Sequence, residues 1–168
     1  REIIKSNIEN RVVSFMMNRY SDFIIANSKA TGNALMVNQK KMQVVYNAVE
    51  EKTDSIYYST HGKKTVGMAG RINRWKGQKL FVDAAEIVHQ AMPDIIFEIA
   101  GEAYVGEEYL KEGLLQYIKE KKLQETVFLL GQVNDMGKFY AGLDIFVLPS
   151  IQPEPFGLVV IEAMEYGI

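Results

Sequence analysis

Two carboxylates eight positions apart, Glu154 and Glu162, sit in the run Pro149-Ser150-Ile151-Gln152-Pro153-Glu154-Pro155-Phe156-Gly157-Leu158-Val159-Val160-Ile161-Glu162-Ala163-Met164. Three prolines hold the segment extended after the apolar stretch Ile145 to Leu148. Gly157 then opens a helical stretch whose first free N–H groups suit an anion. Glu154 precedes that helix and Glu162 lies inside it, about 7 Å further along its axis than Gly157. Carboxylates so separated can grip different parts of one elongated polar ligand. Glu162 stands among Val159, Val160, Ile161, Ala163 and Met164, where a carboxylate needs a hydrogen-bonding partner. Sugar hydroxyls are good donors, so a ribose or hexose is a natural ligand. The competing reading is a surface charge at 154 and a polar helix face at 162.

A second chemical cluster is cationic. Gly70-Arg71-Ile72-Asn73-Arg74-Trp75-Lys76-Gly77 is a basic loop bounded by glycines, which permit close backbone approach. Arg71, as a planar fork, and Lys76, as a point charge, can together neutralise a diphosphate. The loop is not a Walker loop and lacks the dinucleotide glycine fingerprint, and a solvated basic loop is the alternative. Trp75 reads as a packing residue. Two further stretches carry polar groups: Ala100-Gly101-Glu102-Ala103 and Gly131-Gln132-Val133-Asn134-Asp135-Met136-Gly137-Lys138. In the second, Asn134 or Asp135 can also cap a helix and Lys138 can lie on its exposed face. Asp144 reads as a turn or capping residue, and His89, near a helix end, as structural.

The elements that must position these residues follow from periodicity. Residues 1–19 carry Ile3, Ile4, Ile8, Val12, Phe15 and Met16 in a helical stripe, expected to pack on a sheet, with a membrane-surface helix as the alternative. A short strand at Phe23 to Ala26 follows, then a helix from about Lys29 to Val37 capped by Asn27 or Ser28, and a strand at Met42 to Tyr46. Residues 50–64 are polar and read as a connector. From Thr65 the pattern predicts strands near 65–69, 95–100, 127–130 and 144–148. Helices are predicted near 77–91, 107–121, 135–142 and 157–166. Repeated βα units argue an α/β fold, a Rossmann-like parallel sheet with helices on both faces. Such sheets bind ligands outside the carboxyl ends of their strands, where the basic loop and both polar stretches fall.

Composition excludes several functions. The 168 residues, 48% hydrophobic and 24% charged, suffice for a real core. A formal charge of −2, from 19 basic and 21 acidic residues, gives no global pull towards nucleic acid or an anionic membrane, so any phosphate binding is local. The absence of cysteine excludes disulfides, thiolate zinc and a cysteine nucleophile, and two separated histidines, His61 and His89, disfavour a histidine metal site. No apolar run reaches the ~20 residues that span a bilayer. The start at Arg1 and the close of a helix at Tyr166-Gly167-Ile168 read as an internal fragment of something longer.

Taken together, these residues resemble the retaining glycosyltransferases of family 4, glycosyl transferases group 1, whose GT-B architecture sets two Rossmann-like domains facing each other. Tyr20 to Ser28 is similar to the late strand of the family's N-terminal domain, and Val44-Val45-Tyr46-Asn47-Ala48-Val49-Glu50 to its interdomain crossing. Gly70-Arg71 with Lys76-Gly77 resembles its phosphate loop, and Pro149 to Met164 its paired-glutamate signature. The resemblance implies residues 1–48 as the end of an acceptor domain, 49–64 as connector and 65–168 as a truncated donor-binding domain. It implies that Gly70, Arg71 and Lys76 hold the donor diphosphate and that Glu154 binds hydroxyls of the transferred sugar. Backbone N–H groups of Phe156, Gly157 and Leu158 would meet sugar or phosphate, and Glu162 the nucleotide ribose. Gly131 to Lys138 is similar to the base pocket of bacterial phosphatidylinositol mannosyltransferases, with Val133, Asp135 and Lys138 at matching places. Asp135 would then read guanine, which suggests GDP-mannose beside a UDP-sugar. The resemblance further implies retention of anomeric configuration, the leaving phosphate as recipient of the acceptor's proton, and no metal or cofactor beyond the donor itself. A glycan, lipid or small-molecule acceptor is expected, with no nucleic acid partner and a cytoplasmic location that includes the membrane face. The chain departs from the pattern at Ala48, where the crossing usually has glycine, and at Gly101-Glu102-Ala103, which re-charges a glycine-rich turn. A non-catalytic nucleotide-sugar-binding module is the competing reading, and a membrane-surface protein using residues 1–19 a third.

Overall fold

A computed structural model describes residues 7–49 and 62–168. Expectations that fall on residues 1–6 and 50–61, including most of the connector, lie outside the described residues. The chain forms two compact units, one of Arg1–Glu50 with Pro153–Leu158, the other of Glu51–Gln152 with Val159–Ile168.

The first unit runs α1 (Asn7–Tyr20), β1 (Ile24–Ala26), α2 (Lys29–Ala34), a 3-10 turn (Gln39–Lys41) and β2 (Met42–Val44). β1 and β2 pair in parallel, Ile24 beside Met42 and Ala26 beside Val44. Ser28 caps α2, its hydroxyl accepting from the Thr31 N–H at 3.0 Å, which closes one of the helix's orphan donors. The helix ends three residues before Val37, the expected boundary, and the C-cap N–H of Leu35 returns to the Gly32 carbonyl. The orientation of α1 reverses the expectation. Its apolar stripe faces outward, with Ile8 76%, Val12 53%, Phe15 67% and Met16 54% exposed. The opposite face carries Asn10, Ser14 and Asn18, which bind the loop after α2. The Asn10 amide donates to the Ala34 carbonyl at 2.7 Å, Ser14 Oγ accepts from the Met36 N–H at 3.1 Å, and Asn18 Oδ1 accepts from the Asn38 N–H at 2.7 Å. These groups satisfy backbone that α2 and the 3-10 turn leave open, so hydrogen bonding decides which face meets the unit. Ala48 is absent from the residues with positive φ, of which Lys122 is the sole non-glycine among the described residues, so Ala48 does not adopt the left-handed conformation.

Pro153–Leu158 cluster with the first unit. In the first unit the Phe156 ring lies 6.3 Å from that of Tyr46, and the Thr31 hydroxyl donates to the Pro155 carbonyl at 3.4 Å.

The second unit alternates β3 (Thr65–Ala69), α3 (Gln78–Ala91), β4 (Ile96–Ala100), α4 (Glu108–Glu120), β5 (Val127–Gly131), α5 (Met136–Ala141), β6 (Ile145–Phe146) and α6 (Leu158–Glu165), the last entering it at Val159. The sheet is parallel throughout, in the order β5-β4-β3-β6. One core packs Met68, Phe97 and Ile99 of the sheet against Phe81, Val82, Ala85, Leu114 and Ile118 of α3 and α4, with the rings of Phe81 and Phe97 edge to face at 5.7 Å. The other packs Ala69 and Ala100 against Phe139 and Tyr140 of α5, Leu143, and Ala163 of α6. Helices therefore cover both faces, as the βα alternation predicted. The chain reverses its direction of growth between β3 and β6, which opens a crevice at the carboxyl ends of the strands. Asp144 anchors the start of this sheet, accepting from the Thr65 N–H at 2.8 Å and from Lys64 Nζ at 2.5 Å.

Candidate functional site

Three strand ends are held in step. The Gly70 N–H donates to the Ala100 carbonyl at 2.9 Å, Gly101 N–H to the Gly131 carbonyl at 2.8 Å, and Ile72 N–H to the Glu102 carbonyl at 3.0 Å. The ladder thus runs past the strands and aligns the loops that follow them. Gly101 is required here: at φ 143° its Cα lies against Gly70, and a Cβ would run into the Gly70 carbonyl oxygen.

These loops line an open cavity of about 500 Å³. β3 contributes Ala69, Gly70 and Arg71, β4 the turn from Ala100 to Val105, β5 Gln132 and Val133, and the helices Met136, Val159 and Glu162. Of the expected donor-binding residues, Gly70, Arg71, Val133 and Glu162 meet on this wall.

Arg71 is exposed, and its guanidinium carbon lies 4.1 Å from the centroid of the Tyr104 ring. This stack leaves the edges of the guanidinium, which carry its N–H donors, open to a ligand. Its carbonyl accepts from the Gln78 side-chain amide at 2.8 Å, and Gln78 is buried at the start of α3, so the loop is tied to the helix it feeds. Lys76 lies in the same loop but not on the cavity wall. The Trp75 and Lys76 N–H groups both donate to Asn73 Oδ1, at 3.1 and 2.9 Å, a side-chain turn that folds the loop back. Lys76 Nζ lies 4.7 Å from the Trp75 ring centroid. α3 starts after Gly77 with no side-chain cap.

Glu162 is half-buried on α6 and receives a 2.7 Å hydrogen bond from the hydroxyl of Tyr140, which is 1% exposed. Burial first, then this bond and the charge beside it, push the phenol pKa up, which keeps Tyr140 a donor. The partner the apolar neighbourhood of Glu162 demanded is therefore partly supplied by the protein.

Glu102, which departs from the resembling pattern, is on the wall but is matched: its carboxylate accepts from Lys111 Nζ at 2.7 Å and from the Ala103 N–H at 3.2 Å. The lysine, then the N–H, hold its pKa below the usual carboxylate value. Asp135 and Lys138 do not line the cavity. Asp135 caps α5, accepting from the Lys138 N–H at 3.1 Å, and the Lys138 ammonium lies 3.6 Å from its other oxygen. Their side chains are 58% and 87% exposed, so helix capping, the alternative in the sequence, is what the geometry displays. His89 meets Thr126 Oγ1 at 3.3 Å, a structural contact. Glu154, Phe156, Gly157 and Leu158 belong to the first unit, where Gly157, at φ 82°, turns the chain into α6. Tyr104 and Tyr140 were missed by sequence reasoning. Tyr104 directly follows a stretch already placed at the binding edge, whereas nothing in the local sequence of Tyr140 marks it.

Among the described residues no three histidine, aspartate or glutamate side chains are grouped as metal ligands, and no helix is long and apolar enough to cross a membrane.

The N-acetylgalactosamine-N,N'-diacetylbacillosaminyl-diphospho-undecaprenol 4-alpha-N-acetylgalactosaminyltransferase of Campylobacter jejuni is 28% identical over 96% of this chain and 44% of its own length. A lipopolysaccharide core biosynthesis mannosyltransferase of Rhizobium meliloti is 32% identical over 63% of this chain and 30% of its own. The crystal structure of HepE from Anabaena in complex with UDP and glucose superposes with a TM-score of 0.85 at 29% identity, covering 97% of this chain and 47% of that one. The chain thus spans less than half the length of these relatives. The model of the family described as glycosyl transferases group 1 matches residues 49–168. This chain belongs to that family and shares the α/β fold of its GT-B members.

Proposed function

We propose that this chain supplies the donor-binding part of a retaining glycosyltransferase that moves a hexose from a nucleoside-diphosphate sugar to a glycan, lipid or small-molecule acceptor. The observation that carries this reading is that Arg71 and Glu162, distant in sequence, wall one cavity at the switch point of a parallel sheet. The likeness to HepE, whose structure contains UDP and glucose, supports the same placement. Arg71 then takes the diphosphate and Glu162 the ribose. The same likeness to HepE, whose structure contains UDP, leads us to favour a UDP-sugar over GDP-mannose as the donor.

In the reaction the bond from the anomeric carbon to the phosphate oxygen breaks and one to the acceptor oxygen forms on the same face. The acceptor's proton passes to the leaving phosphate. Negative charge grows on the diphosphate, so a positioned cation stabilises the transition state more than the bound donor. Arg71 serves this directly, and we assign Lys76 to the same charge without a metal. Glu154 and the N–H groups of Phe156, Gly157 and Leu158 are assigned to the transferred sugar, and neither glutamate acts as a nucleophile. An enzyme acting on lipid-linked acceptors would work at the cytoplasmic membrane face.

Calorimetric titration of the chain with UDP, GDP and ADP tests the donor site. UDP should bind best, and Arg71→Ala and Glu162→Ala should each abolish or strongly weaken it. A folded chain that binds no nucleotide, or binds equally in both variants, refutes the assignment of the cavity.

A further inference from the structure

We propose that Tyr140 is a positioning residue for Glu162: one buried hydroxyl fixes the carboxylate that meets the ribose and thereby sets nucleotide affinity and ribose selectivity. The inference rests on the reading of Glu162 as the ribose ligand.

Packing alone does not account for this hydroxyl. The Tyr140 ring lies among Phe139, Phe146 and Tyr166, with centroids 5.5, 5.6 and 5.8 Å away. A phenylalanine would fill that space as well. A buried O–H is costly unless bonded, and its partner is Glu162 Oε2 at 2.7 Å. Glu162 Oε1 accepts from no described residue, while the residue itself lines the cavity. The carboxylate therefore has one oxygen held by the core and one available to a ligand.

The helices that carry the pair are locked together. Gly137 on α5 sits so close to the Tyr166 hydroxyl that a Cβ would approach it to 2.6 Å. Tyr166 in turn faces the Tyr140 ring. α5 and Tyr166, the residue that follows α6, thus share an aromatic stack, which sets where the Tyr140 hydroxyl stands relative to Glu162. Without that hydroxyl, a glutamate has free torsions between the helix and its carboxylate. Ordering it then falls to the ligand, at a loss of affinity.

The test is a double-mutant cycle, Tyr140→Phe, Glu162→Ala and both together, titrated with UDP, 2′-deoxy-UDP and 3′-deoxy-UDP. Thermal melts verify that each variant folds. The wild type should prefer UDP over at least one deoxy analogue by about tenfold, as a hydrogen bond to a charged group gives. Tyr140→Phe should cut that preference to about twofold, and should have no further effect in the Glu162→Ala background, because it acts through Glu162. If Tyr140→Phe keeps the full preference while Glu162→Ala loses it, Tyr140 only packs and the inference fails while the site reading stands. An equal effect of Tyr140→Phe with Glu162 absent also overturns it, pointing to general distortion. If Glu162→Ala itself keeps the preference, or the wild type has none, the ribose reading falls and takes this inference with it.

Discussion

Replacing Arg71 by alanine isolates the contribution of the phosphate contact. The guanidinium lies on Tyr104 at 4.1 Å, and no carboxylate among the described residues pairs with it, so a diphosphate need not displace an ion pair. Two charge-assisted hydrogen bonds from the fork contribute about 1.5–3 kcal/mol each. Immobilising the side chain costs about 1–2 kcal/mol, part of which the stack on Tyr104 has already removed. Because the contact is exposed, both bonds fall at the low end of their range, about 3 kcal/mol together, and the net is about 1–2 kcal/mol, so Arg71→Ala should weaken UDP about five- to thirtyfold. Uridine, which has no phosphate, should lose less than about twofold if the effect is local to the phosphate. Calorimetry with both ligands, repeated at raised ionic strength, makes the measurement. Salt should reduce the difference between wild type and variant for UDP, because the contact is exposed and screened. A loss for UDP below about threefold would contradict the reasoning. An equal loss for uridine would do so too, since it would mean that Arg71 acts by propping Tyr104 and not on phosphate.

Two further predictions concern the scaffold. Asp144→Ala leaves the N–H of buried Thr65 without its 2.8 Å acceptor, which should cost about 1–3 kcal/mol and lower the urea midpoint. Lys64→Met should change it little, because that arm of the ion pair is 74% exposed. The lowered pKa of Glu102, due first to Lys111, gives a pH signature: its stabilisation is present above the ordinary glutamate pKa and disappears as pH falls through the lower folded value. Thermal melts from about pH 3 to pH 7 should therefore show a shallower acid limb in Lys111→Met than in the wild type. Identical limbs would rule out that pair as a contributor.

The succession of βα units from Thr65 onward was readable without coordinates, because strand and helix periods are local properties of the chain. So was the edge at which the loop carrying Arg71 falls, since the βα order dictates which loops lie at the carboxyl ends of the strands. Periodicity shows that a helix has two faces but not which one the protein uses. The stripe Ile8, Val12, Phe15 and Met16 was visible, yet α1 turns Asn10, Ser14 and Asn18 inward because the loop after α2 offers them backbone partners. Asp135 was readable as a helix cap, and the position of α5 displays that role. The pairings of Tyr104 with Arg71 and Tyr140 with Glu162 had no local signal. They join residues on different strand ends and helices, and only the packing of those elements around the sheet brings such atoms within hydrogen-bonding or stacking distance.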